Sequence, residues 1–204
     1  LNRQIPVVLI NGNPSRTDTN CIMVDQELGM WRAMDYLFSF GHREIAFVRG
    51  SHLSHSFDVK ERVFRARMEE RGFPVPECRI ITIEGPDNFS GIDEAHNKLQ
   101  DILKSVNRPT AIFCCNEIMA LGALKAAKLC SVKVPDDLSI IAQDNTILSR
   151  ISDPELTTLD MNPSRLGKES AEMMLQLLSS ENPSPRRLVF FPDLIIRDSC
   201  APCP

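Results

Sequence analysis

Short polar side chains follow several β-rich segments of this sequence, at the point where each segment ends. Asn116 is the clearest example, because it separates the apolar run Ala111–Cys115 from the apolar-periodic segment Glu117–Ala123. Oxygen and nitrogen atoms at such positions suit hydrogen bonds to a small polar molecule. The same pattern recurs after the other segments: Ser54, Ser56, Asn88 and Asp144-Asn145. Asn is also a favourable helix N-cap, so a purely structural role stays open for Asn116.

Four β-rich segments must position these side chains. They begin near Ile45, Ile80, Ala111 and Leu138, and a helical pattern follows each of the first three. Such alternation, at roughly 30 residues per unit, is typical of right-handed βαβ crossovers in a parallel sheet. In open α/β sheets the ligand crevice lies at the carboxyl ends of the strands. We therefore predict an α/β fold in which the polar residues border a cleft.

Motifs for catalysis, phosphate binding and metal binding are absent. The sequence has no Gly-x-Gly-x-x-Gly or Gly-x-Ser-x-Gly pattern, and its four histidines are dispersed. His52 and His55 lie in the loop beside the predicted cleft, where ligand contact and plain exposure both remain open. We predict a binding protein with no catalytic residue, no resident metal and no cofactor.

The seven cysteines form an odd set without the spacing of a disulfide scaffold. Cys114 and Cys115 are adjacent in one strand, so they point to opposite faces, and core packing is favoured over a redox or metal pair. Cys200-Ala-Pro-Cys203 has redox-motif spacing, but no second pair is present to complete a zinc site. This usage is typical of a reducing compartment and predicts a cytoplasmic protein.

The charge and hydropathy of the chain argue against two classes of partner. The formal net charge is −4, which disfavours nonspecific binding to nucleic-acid phosphates by this segment. No apolar stretch approaches the ~20 residues that cross a bilayer. We expect neither a membrane partner nor direct DNA binding by these residues.

Six sequence blocks occur in a consistent order and spacing over essentially the whole chain: Gly41–Val48, Arg108–Cys114, Met119–Ala123, Val134–Ile140, Leu156–Thr158 and Ile196–Cys200. Together they resemble the lactose-repressor (LacI/GalR) family of bacterial transcription regulators. The resemblance implies a two-lobed, periplasmic-binding-protein-like fold, with parallel sheets flanked by helices around a small-molecule cleft. It also implies that a full-length member carries a helix-turn-helix headpiece, which binds operator DNA as a dimer.

The resemblance assigns ligand contacts to the loop and helix that follow the strand near Ile45. Ser54, Ser56 and Lys60 stand at contact positions there, and Lys60 replaces the Arg that is usual in the family. Arg binds hydroxyl pairs and carboxylates through a planar fork, whereas Lys offers a point charge on a flexible stem. This departure argues against ordinary sugar recognition at that position.

Further contact positions follow the later strands. Asn116 matches one of them, and Asp144 matches the acidic residue of a block that reads Ala142-Gln143 where the family has Gly and an aromatic residue. Phe89 lies near an expected aromatic platform, with Asn88 as a competitor, and core burial of the phenyl ring is an open alternative. Asn88, Phe89, Asn116 and Asp144 complete the set of contacts predicted from the second lobe.

The amino-terminal lobe is expected to be incomplete, because the sequence enters a strand within its first residues and leaves no room for the opening strands. Asn11 and Asp25 end strands of this lobe and should face the same crevice. We predict four segments: 1–43 as the partial amino-terminal lobe, 44–154 as the carboxy-terminal lobe, 155–187 as a return to the first lobe, and 188–204 as the final strand of the second lobe with a tail.

The predicted function is that of a sensor. A metabolite such as a sugar, bound between the lobes, would control operator binding by a headpiece that this sequence lacks, and a homodimer is the default assembly. The alternative is a free-standing periplasmic-type protein that binds sugars or other solutes. An α/β enzyme that uses Asp144 or Cys114 is disfavoured, because no nucleophile–base–orienter set is present.

Overall fold

The structure is a computed structural model that describes residues 5–11, 19–51, 54–84, 88–179 and 184–204, with residues 88–90 described by their backbone alone. The strands are β1 Val8–Ile10, β2 Asn20–Val24, β3 Ile45–Gly50, β4 Ile80–Ile83, β5 Ala111–Cys114, β6 Ser139–Asp144, β7 Thr157–Asp160, β8 Arg187–Phe190 and β9 Asp193–Ile195. The helices are α1 Gln26–Ser39, α2 His55–Glu70, α3 Asn88–Lys104, α4 Glu117–Leu129, α5 Ile147–Ile151 and α6 Pro163–Ser179.

These strands form two sheets. The larger sheet has the order β4-β3-β5-β6-β7-β9, and the smaller sheet has the order β1-β2-β8. All pairings are parallel except that of β7 with β9. Helices connect the successive strands from β3 to β7 of the larger sheet, so the α/β class and the parallel sheets predicted from the sequence are confirmed.

The core of the larger sheet explains why its strands read as continuous apolar runs. Ala111–Cys114 is buried at every position, as expected for strands that are covered by helices on both faces. Phe47 of β3 stacks on Phe113 of β5 and on Phe64 of α2, with ring centroids 5.7 and 5.1 Å apart. These contacts fix α2 against the sheet.

Helices α3 and α4 approach each other closely at Gly122. A Cβ atom at this position would lie 2.6 Å from the Ala95 Cβ and 2.6 Å from the Ile92 carbonyl oxygen. Small residues at the contact therefore allow the two backbones to pack directly together.

The smaller sheet has a separate core. Ile22 and Val24 of β2 pack against Leu166, Met173 and Leu177, which form the apolar face of α6. This amphipathic helix therefore covers the smaller sheet.

Three elements lie in a different place from the predicted segment boundaries. Thr157–Asp160 pairs with β6 in the larger sheet, whereas Arg187–Phe190 pairs with β2 in the smaller sheet. Helix α1 also packs with the larger core, through Met30, Ala33, Met34 and Leu37. Short strands carry an alternating pattern that predicts burial of one face, but strand pairing decides which sheet they join.

The chain consequently crosses between the sheets at three places other than those expected. The crossings lie at Asp25, between β7 and α6 at Met161-Asn162, and between β8 and β9 at Phe191-Pro192. Met161 packs against both cores, which is consistent with a position at the junction.

The carboxy-terminal segment is fixed to the larger sheet by the buried His42. Its ring nitrogens lie 3.0 Å from Thr110 Oγ1, Ser139 Oγ and the Ala201 carbonyl oxygen. A carbonyl oxygen only accepts, so Nε2 carries the proton. Burial lowers the pKa of His42, although the bond to Ala201 opposes this change.

The described ranges contain neither a membrane-spanning helix nor a metal-binding cluster. No helix there combines the length and apolar character that a membrane span requires. No group of three or more His, Cys, Asp or Glu side chains there is arranged to hold a metal ion. All seven cysteines are free thiols, and Cys114 and Cys115 are both buried.

Candidate ligand-binding site

A hollow of about 600 Å³ lies between the smaller sheet and the first turns of α1 and α2. This volume is within the range of roughly 300–1,000 Å³ that small-molecule sites occupy. We call it the inter-sheet hollow, and its walls come from β2, β8, α1, α2 and the residue after β1: Asn11, Met23, Val24, Asp25, Gln26, Glu27, Leu28, Trp31, His55, Ser56, Val59, Arg62 and Val189.

Asn11 and Asp25 stand at the carboxyl ends of β1 and β2, as predicted, and both line the inter-sheet hollow. Asn11 adopts a positive φ of 51°, which Asn tolerates better than most residues, and its Oδ1 accepts a bond from the Val24 amide at 2.9 Å. Asp25 is the N-cap of α1, because its Oδ1 accepts from the Leu28 amide at 2.9 Å. Both side chains are thus held in place by backbone donors.

The first turn of α2 contributes Ser56 and His55 to the inter-sheet hollow. Ser54 occupies the N-cap position of this helix, but its side chain makes no capping hydrogen bond. The amide groups at a helix N-terminus favour acceptor atoms of a ligand. Ser56 therefore lines the hollow, whereas Ser54, in the same loop-and-helix segment, is not among its lining residues.

An ion pair and an aromatic ring complete the walls of the inter-sheet hollow. Arg62 of α2 bonds to Glu27 of α1, and both side chains are more than half exposed. Trp31 is 43% exposed, and the Arg67 guanidinium lies 4.2 Å from its ring centroid. Trp31, Arg62 and Glu27 are not among the site residues predicted from the sequence. The signal that could have found them is their position within two helical turns of Asp25 and Ser56.

Lys60 does not line the inter-sheet hollow. Its side chain is 1% exposed, and its Nζ lies 3.3 Å from Gln143 Oε1 and 3.5 Å from the Cys115 carbonyl oxygen. The ammonium group also lies 5.2 Å from the centroid of the Phe57 ring. The residue that replaces the family Arg is therefore bound to the strand ends of β5 and β6.

Asp144 lies beside Lys60 at the end of β6. Burial raises the pKa of Asp144 to about 6, while the Lys60 charge lowers it and the Glu117 charge raises it. We call Lys60, Gln143, Asp144 and Glu117 the strand-end cluster. It holds one cation and two acidic groups in a region where charges are poorly solvated.

Asn116 has the structural role that its sequence left open. Its Oδ1 accepts a hydrogen bond from the Met119 amide at 2.9 Å and caps α4. The next residue, Glu117, is buried and accepts bonds from the Thr146 amide and from Thr158 Oγ1. Asn116 is half-buried and is not among the residues of the inter-sheet hollow.

The predicted contacts thus separate into two groups. Asn11, Asp25 and Ser56 share the inter-sheet hollow, whereas Lys60 and Asp144 belong to the buried cluster. Ser56 and Lys60 are one helical turn apart on α2, which joins the two groups. The side chains of Asn88 and Phe89 lie outside the described residues.

Comparison with known proteins identifies the family. Residues 34–200 match the family described as a periplasmic binding protein-like domain. The transcriptional repressor PurR of Histophilus somni is 31% identical over 195 residues, which are 96% of this chain and 57% of that protein. The transcriptional regulator DegA of Bacillus subtilis is 34% identical over 199 residues, with 98% of this chain and 57% of that protein covered.

Solved structures agree with these relatives. A regulatory protein of the LacI family from Chloroflexus aggregans superposes with a TM-score of 0.85 at 25% identity, over 96% of this chain and 68% of that one. The chain therefore spans a little over half the length of the curated relatives it matches. It belongs to the periplasmic binding protein-like family, as a ligand-binding domain of the LacI type.

Proposed function

We propose that this chain is the sensor domain of a cytoplasmic LacI-family transcriptional regulator and that it binds a small metabolite in the inter-sheet hollow. The observation that supports this most directly is the composition of the hollow, whose walls come from the smaller sheet on one side and from α1 and α2, which pack against the larger core, on the other. A ligand in this position contacts both parts of the chain at once. Its binding energy then depends on how the two parts are oriented.

The chemistry of the walls favours a neutral, hydroxyl-rich ligand such as a monosaccharide. Asn11, Asp25 and Ser56 supply acceptors and donors for hydroxyl groups, and Trp31 offers an aromatic surface to an apolar ring face. Glu27 and Arg62 neutralise each other, so the walls carry no excess of cations for a strongly acidic ligand. Lys60, bound within the strand-end cluster, has no part in this recognition.

The bound metabolite would act by shifting a conformational equilibrium. A ligand stabilises one relative orientation of the two sheets by binding it more tightly than the other, and hinge closure at the three crossings carries the change. In the whole protein this orientation would set the spacing of two headpieces on operator DNA, with the homodimer as the functional unit. No catalytic step is part of the proposal.

A thermal-shift screen of sugars, nucleobases and small organic acids tests the proposal. Ligand at 100 times its Kd stabilises the folded state by about 2.7 kcal/mol, which raises the unfolding temperature measurably. The affinity of each hit is then measured by titration, with the fluorescence of Trp31, the single tryptophan of the chain, as the signal. A compound that shifts both signals supports the site, and a screen without any hit contradicts it.

A matched pair of variants locates the bound ligand. Ser56→Ala removes a hydroxyl from the hollow and should weaken a hit by about 2–10-fold, the range expected for one neutral hydrogen bond. Ser105→Ala removes an exposed hydroxyl at the end of α3 and should change nothing. Equal affinities for the two variants, turnover of the ligand, or an export signal encoded upstream would each overturn the proposal.

A further inference from the structure

The first two turns of α1 meet two of the three crossings between the sheets and the strand that leads into the other. Asp25 is the first crossing, and its amide donates to the Phe190 carbonyl oxygen at the end of β8. Gly29 faces the third crossing and β7, because a Cβ atom there would lie 3.0 Å from Pro192 Cγ and 3.3 Å from Leu159 Cδ1, two residues before the second crossing. One short helical segment thus contacts the first and third crossings and the strand that leads into the second.

Arg32, in the second of these turns, binds the third crossing. Its Nη1 donates to the Pro192 carbonyl oxygen and lies 2.7 Å from Asp193 Oδ1. The Arg32 side chain is 39% exposed and that of Asp193 is 78% exposed, so water and salt compete for this ion pair. Such a contact holds the crossing in place without making the arrangement irreversible.

The same segment forms a wall of the inter-sheet hollow. Leu28 and Trp31 line it from α1, and Val189, three residues before Pro192, lines it from β8. A movement of the Pro192 crossing away from Gly29 therefore changes the separation between α1 and β8. The contact between Gly29 and Pro192 therefore couples the position of the third crossing to the width of the hollow.

We propose that Gly29 and Arg32 are positioning residues, which grip Pro192 and Asp193 as a latch and so set the width of the inter-sheet hollow. A side chain at position 29 would require Pro192 to move by a few tenths of an ångström, and the Arg32 bonds hold the docked state. Release of the latch lets β8 swing away from α1. The value of this device to the cell rests on the proposed sensor function, but the latch itself is measurable without any effector.

Acrylamide quenching of Trp31 in the ligand-free, full-length chain tests the latch. Pro192→Ala and Asp193→Asn both alter the third crossing, and because Asp193 pairs with Arg32, the neighbour of Trp31, the Pro192→Ala result shows whether the crossing itself is responsible. A displacement on the order of 1–2 Å, typical of switching elements, should raise the quenching constant about 1.5-fold in both variants. Asp193→Glu keeps the charge and should restore most of the wild-type value.

Two glycine variants and a salt titration complete the test. Gly29→Ala should raise the quenching constant, whereas Gly167→Ala on α6, where no atom lies within 4 Å of an added Cβ, should not. Rising salt should move the wild type towards Asp193→Asn, because the exposed ion pair is screened. Wild-type quenching in folded Pro192→Ala and Asp193→Asn would overturn the proposal, even if Gly29→Ala fails to fold.

Discussion

Replacement of Asp144 by Asn tests the electrostatics of the strand-end cluster. Burial is the chief reason that the pKa of the Asp144 carboxyl group rises from its ordinary value of 3.8 to about 6. The folded state therefore holds this proton more tightly than the unfolded state does. The stabilising effect is complete below pH 3.8 and is lost as the pH rises through about 6. Asn resembles the protonated form and has no such pH dependence.

The size of the effect follows from the two pKa values. A tenfold change in proton affinity corresponds to about 1.4 kcal/mol, so the difference between 3.8 and about 6 is on the order of 3 kcal/mol. We expect Asp144→Asn to be more stable than the wild type by up to this amount at pH 7.5 and nearly equal to it at pH 3.5. The attraction of Lys60 for the carboxylate is already contained in the pKa of Asp144.

Urea unfolding at several pH values between 3.5 and 7.5 measures this difference. The wild type and Asp144→Asn are compared at each pH, so contributions of other titrating groups cancel. Asp136→Asn, which changes an exposed carboxylate, is the matched control and should show a small difference at every pH. A difference that is independent of pH, or an Asp144→Asn protein that is less stable at pH 7.5, would refute the reasoning.

Four further substitutions probe packing, titration and capping, all measured by urea unfolding. Gly122→Ala should cost about 1–3 kcal/mol because its Cβ would overlap Ala95, whereas Gly167→Ala should stabilise α6 by about 0.5–1 kcal/mol. The stability advantage of the wild type over His42→Gln should shrink as the pH falls below 6.5, because burial lowers the pKa of His42 and its protonation favours the unfolded state. An advantage that stays constant would contradict this. Asn116→Ala should cost about 0.5–2 kcal/mol through loss of the cap, without weakening a ligand in the hollow.

The sequence predicted the larger sheet well because its signals are local. The run Ala111–Cys114 is apolar at every position, which fits a parallel strand covered on both faces. Asn116 and Asp25 are good N-caps, and each begins a helix with the expected side-chain bond. Backbone propensity and burial pattern act over a few residues, so they can be read without knowledge of the fold.

The burial of Lys60 was also accessible from the sequence, although the resemblance pointed elsewhere. Phe57, Lys60 and Phe64 are spaced by three and four residues, which puts them on one face of α2. Both aromatic residues are buried in the structure, and Lys60 is buried between them. A charged residue on an apolar stripe predicts a buried partner, but only the folded chain identifies Gln143 and the end of β5 as that partner.

Sequence alone determined the class of the fold, the strand-end location of polar groups and the family. The tertiary structure decided which sheet β7 and β8 join, and therefore where the chain crosses between the sheets. It also decided that Asn11, Asp25 and Ser56 share a hollow while Asp144 belongs to a buried cluster. The physical reason is that the hollow depends on distances between segments more than 100 residues apart, such as α1 and β8, and no local pattern encodes those distances.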